Sequence, residues 1–241
     1  GESLMDKVDL SFKDAGGQLV QEVKNVGAYK LVVTAKEDSD YTGSVELPFT
    51  VSKLALQDSD LETTLAATYN GKDQTNDLLK GLMLKHKTTE ESLLGKVDLS
   101  FKDAGGQLVQ EVKNAGEYKL VVTAKADTNY EGSAEVAFTV SKLVLQDSDL
   151  ETTLAATYNG KDQTDDLLKG LTLNHKTTKE SLLGKVDLSF TDANGQPVQE
   201  VKDVGAYKLV VTAKEDSDYT GSVELAFTVS KLVLQDSDLE T

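Results

Sequence analysis

Apolar and polar residues alternate with a period of two through several short stretches of the chain. In Tyr118–Lys125 one face carries Tyr118, Leu120, Val122 and Ala124, and the other Lys119, Val121, Thr123 and Lys125. Ala134–Lys142 alternates likewise and groups Ala134, Val136, Phe138 and Val140. Successive side chains of a strand point to opposite sides, so both segments predict strands with one buried face. KVDLSF, starting at Lys96, and QLVQEV flank the turn Asp103-Ala104-Gly105-Gly106 and predict a hairpin. TLAATY ends at Asn70-Gly71, a pair suited to tight hairpin turns, so it and the following LLKGLML are expected as another hairpin. The competing helical pattern is Thr88–Leu94, where Thr89 precedes Glu91 and Ser92 like a cap and Gly95 ends the run after about one turn. Short strands with turns at spacings of roughly 8–12 residues point to an antiparallel sandwich.

The pattern itself recurs. KVDLSF begins at Lys7, Lys96 and Lys185, 89 residues apart each time, and Leu54–Lys142 differs from Leu143–Lys231 at 17 of 89 positions. A period of that length is a small domain, longer than the roughly 20–50 residues of a solenoid repeat. The expected organisation is a partial repeat at 1–53, complete repeats at 54–142 and 143–231, and the start of another at 232–241. Between Val140-Ser141-Lys142 and Leu143-Val144-Leu145 there is no glycine or proline, so the joint is expected to be restricted and the array elongated.

Asn114-Ala115-Gly116-Glu117-Tyr118 recurs as Asn25 to Tyr29 and Asp203 to Tyr207. In immunoglobulin-like sandwiches such a tyrosine, near the start of a strand, bonds back to the backbone at a corner. NAGEYKLVVTAKADTNYEGSAEVAFTVSK, with ATYNGKDQT nearer the start of each unit, resembles the bacterial immunoglobulin-like repeats called MBG or YDG domains. LQDSDLETT and LLKGLTLNHKTTKESLLG lie outside the resemblance. It implies all-β, tandem immunoglobulin-like β-sandwich repeats of an extracellular, cell-surface or secreted bacterial protein, often an adhesin. On that basis a structural stalk that projects other domains is expected. The alternative is an adhesive module for mucin, glycan or host protein, acting through avidity.

Composition narrows the chemistry. The chain has 241 residues, no Cys, Trp or Arg, 25 basic residues that are all Lys, and a net charge of −16. Thiol chemistry and disulfides are excluded. The acidity argues against nucleic acid, whose binding rests on neutralising phosphates, and no apolar run is long enough for a membrane-spanning helix. The opening Gly1-Glu2-Ser3-Leu4 falls within the repeat pattern, as in an excised or processed fragment.

No enzyme motif appears, and catalysis is not expected. The two histidines, His86 and His175, are one position in successive repeats, flanked by polar residues including Lys and Thr-Thr, and are expected in solvated turns. An isopeptide cross-link is disfavoured: the last strand lacks Asn, and most Lys fall on the polar register. No cofactor is expected, with calcium as the one candidate. Asp58, Asp60 and Glu62, repeated as Asp147, Asp149 and Glu151 and again as Asp236, Asp238 and Glu240, place three carboxylates on one face if the segment is extended. The ordinary alternative is a charged edge strand that discourages pairing. Tyr130 and Tyr219, in loops repeated at Tyr41, are the candidate ligand-stacking aromatics for a glycan or matrix protein; the alternative is that they cap the core. The partial first repeat lacks a counterpart of Leu54–Thr89, and the tail LVLQDSDLET matches the start of that missing part. Head-to-tail self-association by strand complementation is therefore a further expectation.

Overall fold

Strands with one apolar face dominate the computed structural model, which describes residues 3–152 and 154–235. Its helical segments among the described residues are Thr75–Lys80 and Thr164–Lys169, plus single 3-10 turns at Asp58–Asp60 and Asp147–Asp149. The chain packs as two compact units. One holds residues up to Thr64, Met83–Ser100 and Leu120–Val136; the other holds Leu65–Leu82, Phe101–Lys119 and the chain from Ala137 onward. These bounds do not follow the 89-residue sequence period. Each unit gathers residues from both sides of one junction between successive repeats.

In the second unit, the last repeat forms a five-stranded sheet in the order Ala156–Thr157, Ser222–Ser230, Gly205–Ala213, Val186–Asp192, Pro197–Val198. The KVDLSF strand pairs antiparallel with Gly205–Ala213, Phe190 opposite Leu209, and that strand pairs with Ser222–Ser230, Tyr207 opposite Phe227. The alternating pattern sets which face is buried: Val186, Phe190, Leu209, Val211, Phe227 and Val229 all point inward. Phe227 stacks with Tyr207 at 5.8 Å and meets Phe190 edge-on at 5.7 Å. The short strand Ala156–Thr157 adds parallel to Val229–Ser230, protecting that edge. A small antiparallel pair, Leu150–Thr152 with Leu173–His175, buries Leu150, Leu173 and His175. The same five-stranded order recurs one period earlier, with Ala67–Thr68 in the place of Ala156–Thr157.

The segment after the Asn-Gly turn is helical, not the second arm of a hairpin. Asp73 accepts hydrogen bonds from the Thr75 amide (2.9 Å) and hydroxyl (2.6 Å), which satisfies a free donor at the helix start. Thr75 in turn accepts from the Val112 amide at 2.9 Å, and the Gln74 amide donates to the Val112 carbonyl. These long-range bonds favour a helix over Thr75–Lys80, which buries Leu78. The competing helical pattern at Thr88–Leu94 forms no helix: Thr88 and Thr89 lie in a turn closed onto His86.

In the first unit the opening segment forms a four-stranded sheet, in the order Leu19–Val20, Val8–Asp14, Gly27–Ala35, Ser44–Val51. The corner bond expected of the motif tyrosine is present: the Tyr29 hydroxyl donates to the Asn25 carbonyl at 2.9 Å. In the second unit Tyr118 does the same to Asn114 at 3.1 Å. Ser44–Val51 is an edge strand here, and Leu10, Val45 and Leu47 on the inward register are exposed. Leu54–Ala55 pairs parallel with Tyr130–Glu131, and Leu61–Thr63 pairs antiparallel with Leu84–His86.

Candidate functional site

The densest polar chemistry lies at the repeat junctions. Ser133–Ser141 ends one residue before Leu143–Val144, which in the second unit pairs parallel with Tyr219–Thr220. The Leu143 amide donates to the Asp218 carbonyl at 2.9 Å and the Leu145 amide to the Thr220 carbonyl at 2.8 Å. Asp218 also accepts, through Oδ1, the Ala115 amide of the preceding repeat at 2.8 Å. Lys142 Nζ donates to the Glu215 carbonyl. The joint is thus sutured by backbone and side-chain bonds and contains no flexible linker.

At its centre sits Glu180. One oxygen, Oε2, accepts from Lys185 Nζ (2.8 Å), the Tyr219 hydroxyl (3.0 Å) and the hydroxyl of Tyr69 from the preceding repeat (2.7 Å). Burial works against ionisation of Glu180, but these three donors outweigh it and hold the carboxyl below its usual range. Tyr69 and Tyr219 meet edge-on at 5.5 Å, and Lys185 Nζ lies 5.5 Å above the Tyr219 ring. Burial, together with donation to Glu180, pushes the Tyr219 hydroxyl up to about 12 and raises that of Tyr69 as well. Both phenols therefore stay protonated and act as donors.

Gly71 completes the fit. Its φ is +78°, and a Cβ there would stand 2.9 Å from the Thr178 Cβ. Glycine is required both for the left-handed turn and for the close approach.

The first unit carries the corresponding set around Glu91, Tyr130 and Lys96. Glu91 pairs with Lys96, and its Oε2 accepts the Tyr130 hydroxyl at 2.8 Å. These two donors, the lysine first, hold the Glu91 carboxyl below its usual range. Val26 donates its amide to Asn129 Oδ1 at 3.0 Å, the counterpart of the Ala115–Asp218 bond.

Tyr130 and Tyr219 are not exposed stacking platforms. They are 2% and 1% exposed, because the strand that opens the same repeat lies alongside each of them. Only the partial repeat's copy, Tyr41, is exposed, at 47%. The histidines are likewise not solvated: each is 1% exposed. His86 Nδ1 accepts the Thr88 and Thr89 amides at 3.3 and 3.4 Å, and the ring packs 5.7 Å from that of Tyr130. His175 repeats the arrangement with Thr177, Thr178 and Tyr219. Neither Nε2 has a hydrogen-bond partner among the described residues. Burial holds His175 below its ordinary pKa, opposed by Asp149 and Glu180.

The acidic segment is not extended over its whole length. Asp58–Asp60 and Asp147–Asp149 are 3-10 turns, and Glu62 and Glu151 follow on short strands. A 3-10 helix has 3.0 residues per turn, so residues two apart diverge instead of sharing a face. Asp58 Oδ1 accepts the Glu135 amide at 2.7 Å, Asp147 Oδ1 accepts the Ser148 amide at 2.7 Å, and Asp60 Oδ2 lies 3.9 Å from His86 Nε2. Among the described residues no three His, Asp or Glu side chains gather as metal ligands. Asp236, Asp238 and Glu240 lie outside the described residues.

Sequence reasoning missed Glu180, Lys185, Thr178 and Tyr69. A signal was available: position 90 is Glu but its counterpart is Lys179, whereas Glu91 and Glu180 agree, as do Lys96 and Lys185.

The fold and its sutured junctions define a tandem β-repeat protein. Two family models, each described as MBG domain, match residues 61–143 and 145–217, together well over half of the sequence. The chain belongs to the MBG-domain family. No curated protein matches it. Among solved structures, it is similar to "Sidekick-1 immunoglobulin domains 1-5" at 9% identity and a TM-score of 0.24, covering 94% of this chain and 52% of that one. It is also similar to "Structure of surface layer protein SbsC, domains 1-6" at 12% identity and a TM-score of 0.26, covering 94% and 36%. The chain thus spans about half and about a third of those two lengths.

Proposed function

We propose that these repeats are structural spacers of a bacterial cell-surface or secreted adhesin-like protein, serving to hold other domains away from the surface. The observation that carries this reading is the junction around Glu180. Strand runs into strand with one intervening residue, and a Tyr69–Glu180–Lys185–Tyr219 cluster, its tyrosines buried and its ion pair half-buried, joins successive repeats. Such a joint resists bending, which a spacer needs and a flexible tether avoids. Membership of the MBG-domain family supports a surface or extracellular setting.

The cluster has a structural role in this reading, not a catalytic one. Its tyrosines are protonated donors, its carboxylate accepts three hydrogen bonds through Oε2, and its histidine accepts from two backbone amides. The adhesive alternative loses its main support, because Tyr130 and Tyr219 are packed inside.

The test is binding of the full chain to immobilised mucin and matrix proteins, with and without calcium, alongside residual dipolar couplings recorded across the Lys142 junction. A spacer gives no saturable binding and a single alignment on the two sides of the junction. Saturable binding at micromolar concentration, or independent alignments, would overturn the reading. Calcium-dependent binding would turn attention to Asp58, Asp60, Glu62 and their counterparts.

A further inference from the structure

The turn that docks at the Glu180 junction carries a chemistry the spacer reading does not use. Asn-Gly occurs three times, at Asn70-Gly71, Asn159-Gly160 and Asn194-Gly195. An asparagine before glycine can lose its side-chain nitrogen to attack by the next main-chain nitrogen, because no Cβ on the following residue obstructs the approach. The structure separates the three pairs. Asn70 Oδ1 accepts the Lys72 amide at 2.9 Å, and Gly71 has a φ of +78°. Asn159 repeats this with the Lys161 amide at 2.9 Å and Gly160 at +75°. Among the described residues no hydrogen bond engages the Gly71 or Gly160 amide, or the side-chain nitrogen of Asn70 or Asn159. Gly195 differs. Its amide donates to the Asp192 carbonyl at 3.0 Å, so the attacking nitrogen is already engaged.

We propose that Asn70 is a site of spontaneous modification, converted by the Gly71 nitrogen and water to aspartate and isoaspartate. Hydroxide takes the Gly71 amide proton, and the nitrogen forms a bond to Asn70 Cγ. Oδ1 receives the negative charge while it faces the Lys72 N–H, a donor already in place. The Cγ–Nδ2 bond then breaks, and Nδ2 takes a proton from water and leaves as ammonia, closing an imide. Water next adds to an imide carbonyl. Opening at the side-chain carbonyl gives aspartate. Opening at the main-chain carbonyl gives isoaspartate, whose main chain runs through Cβ and is one atom longer. The net change is uptake of water and release of ammonia. The place of this change matters, because Asn70 lies between two contacts of the joint. On one side the Tyr69 hydroxyl donates to Glu180 at 2.7 Å; on the other Gly71 approaches Thr178 so closely that a Cβ would stand 2.9 Å from the threonine Cβ. An added main-chain atom alters the spacing of the two contacts, so isoaspartate loosens the joint.

The site goes beyond the spacer reading, and only its effect on the joint rests on that reading. The experiment ages the full chain in mildly alkaline buffer and maps its asparagines by peptide mass spectrometry, with electron-transfer fragmentation to tell isoaspartate from aspartate. Asn70 and Asn159 are expected to convert, and Asn194 about fivefold more slowly, the cost of freeing a hydrogen-bonded amide. The added charge lets ion exchange separate the modified chains. In the fraction with isoaspartate in place of Asn70, amides at 178–181 should exchange hydrogen about tenfold faster or more, the loss of a hydrogen bond to a charged group. Asn70→Ser keeps an oxygen for the Lys72 amide and has no nitrogen to lose, so exchange at 178–181 should not rise as this variant ages. If Asn70→Ser fails to fold, the separated fractions of the unaltered chain still decide. Asn70 remaining intact, or Asn194 converting as fast as Asn70, would overturn the site. Unchanged exchange at 178–181 in the modified fraction, or an equal rise in aged Asn70→Ser, would overturn its effect on the joint.

Discussion

Replacing Tyr69 by Phe removes one oxygen and leaves the ring that packs edge-on against Tyr219. The oxygen is buried and donates to an ionised carboxylate at 2.7 Å. A hydrogen bond to a charged group contributes about 1.5–3 kcal/mol net. Glu180 keeps Lys185 and Tyr219 after the change, so the lower part of that range applies, about 1.5 kcal/mol. Tyr158 provides the control. It occupies the same position in the next repeat and its amide pairs with Ser230 in the same way, yet its hydroxyl has no partner among the described residues. Tyr158→Phe should therefore change stability by less than about 0.5 kcal/mol. The assay is hydrogen exchange of the amides at residues 69–72 and 178–181, read as local opening free energy, because whole-chain melting of a repeat array need not be two-state. A double-mutant cycle with Glu180→Gln should give a coupling of about 1 kcal/mol. Equal effects at Tyr69 and Tyr158, or no coupling to Glu180, would refute the view that this cluster joins the repeats.

Gly71→Ala should cost at least about 1 kcal/mol more than Gly160→Ala. Their φ values are +78° and +75°, but only the first would push a Cβ into Thr178; urea titrations of the two variants would show the difference. Leu182→Ala, at a fully buried position, should cost about 2–5 kcal/mol, while Leu183→Ala, at an exposed one, stays within about 0.5 kcal/mol, measured by thermal denaturation. His175 is held below its ordinary pKa by burial, so the unfolded chain binds the proton more readily. Its contribution is complete above about pH 6.5 and declines as pH falls through the folded-state value. Urea midpoints between pH 7.5 and 5 should drop, and His175→Gln should flatten that slope.

The alternating stretches settled most of the large sheets in advance. Tyr118, Leu120 and Val122 are buried and Lys119 is exposed because a strand's pleat leaves no other choice once one face meets a core. The 89-residue period likewise announced that the same strands and turns recur from one repeat to the next. The corner tyrosines at 29 and 118 were legible for the same reason, since Gly and Tyr at fixed spacing define a local geometry.

The tertiary structure decided what depended on distant partners. Thr75–Lys80 is too short to be helical by propensity alone and is held by Asp73 and Val112. His86 looks solvent-exposed beside its Lys and Thr neighbours, and Tyr130 reads from its loop either as an exposed aromatic or as a cap on the core. They are buried because Leu54–Ala55 pairs beside one and the Thr88–Thr89 amides fold onto the other. Most of all, Glu180 acquires its role from Tyr69, 111 residues away. Local sequence sets which way a side chain points along a strand, but the partners of a half-buried charge are chosen only when separate repeats come into contact, because the cost of an unpaired charge grows as water is excluded.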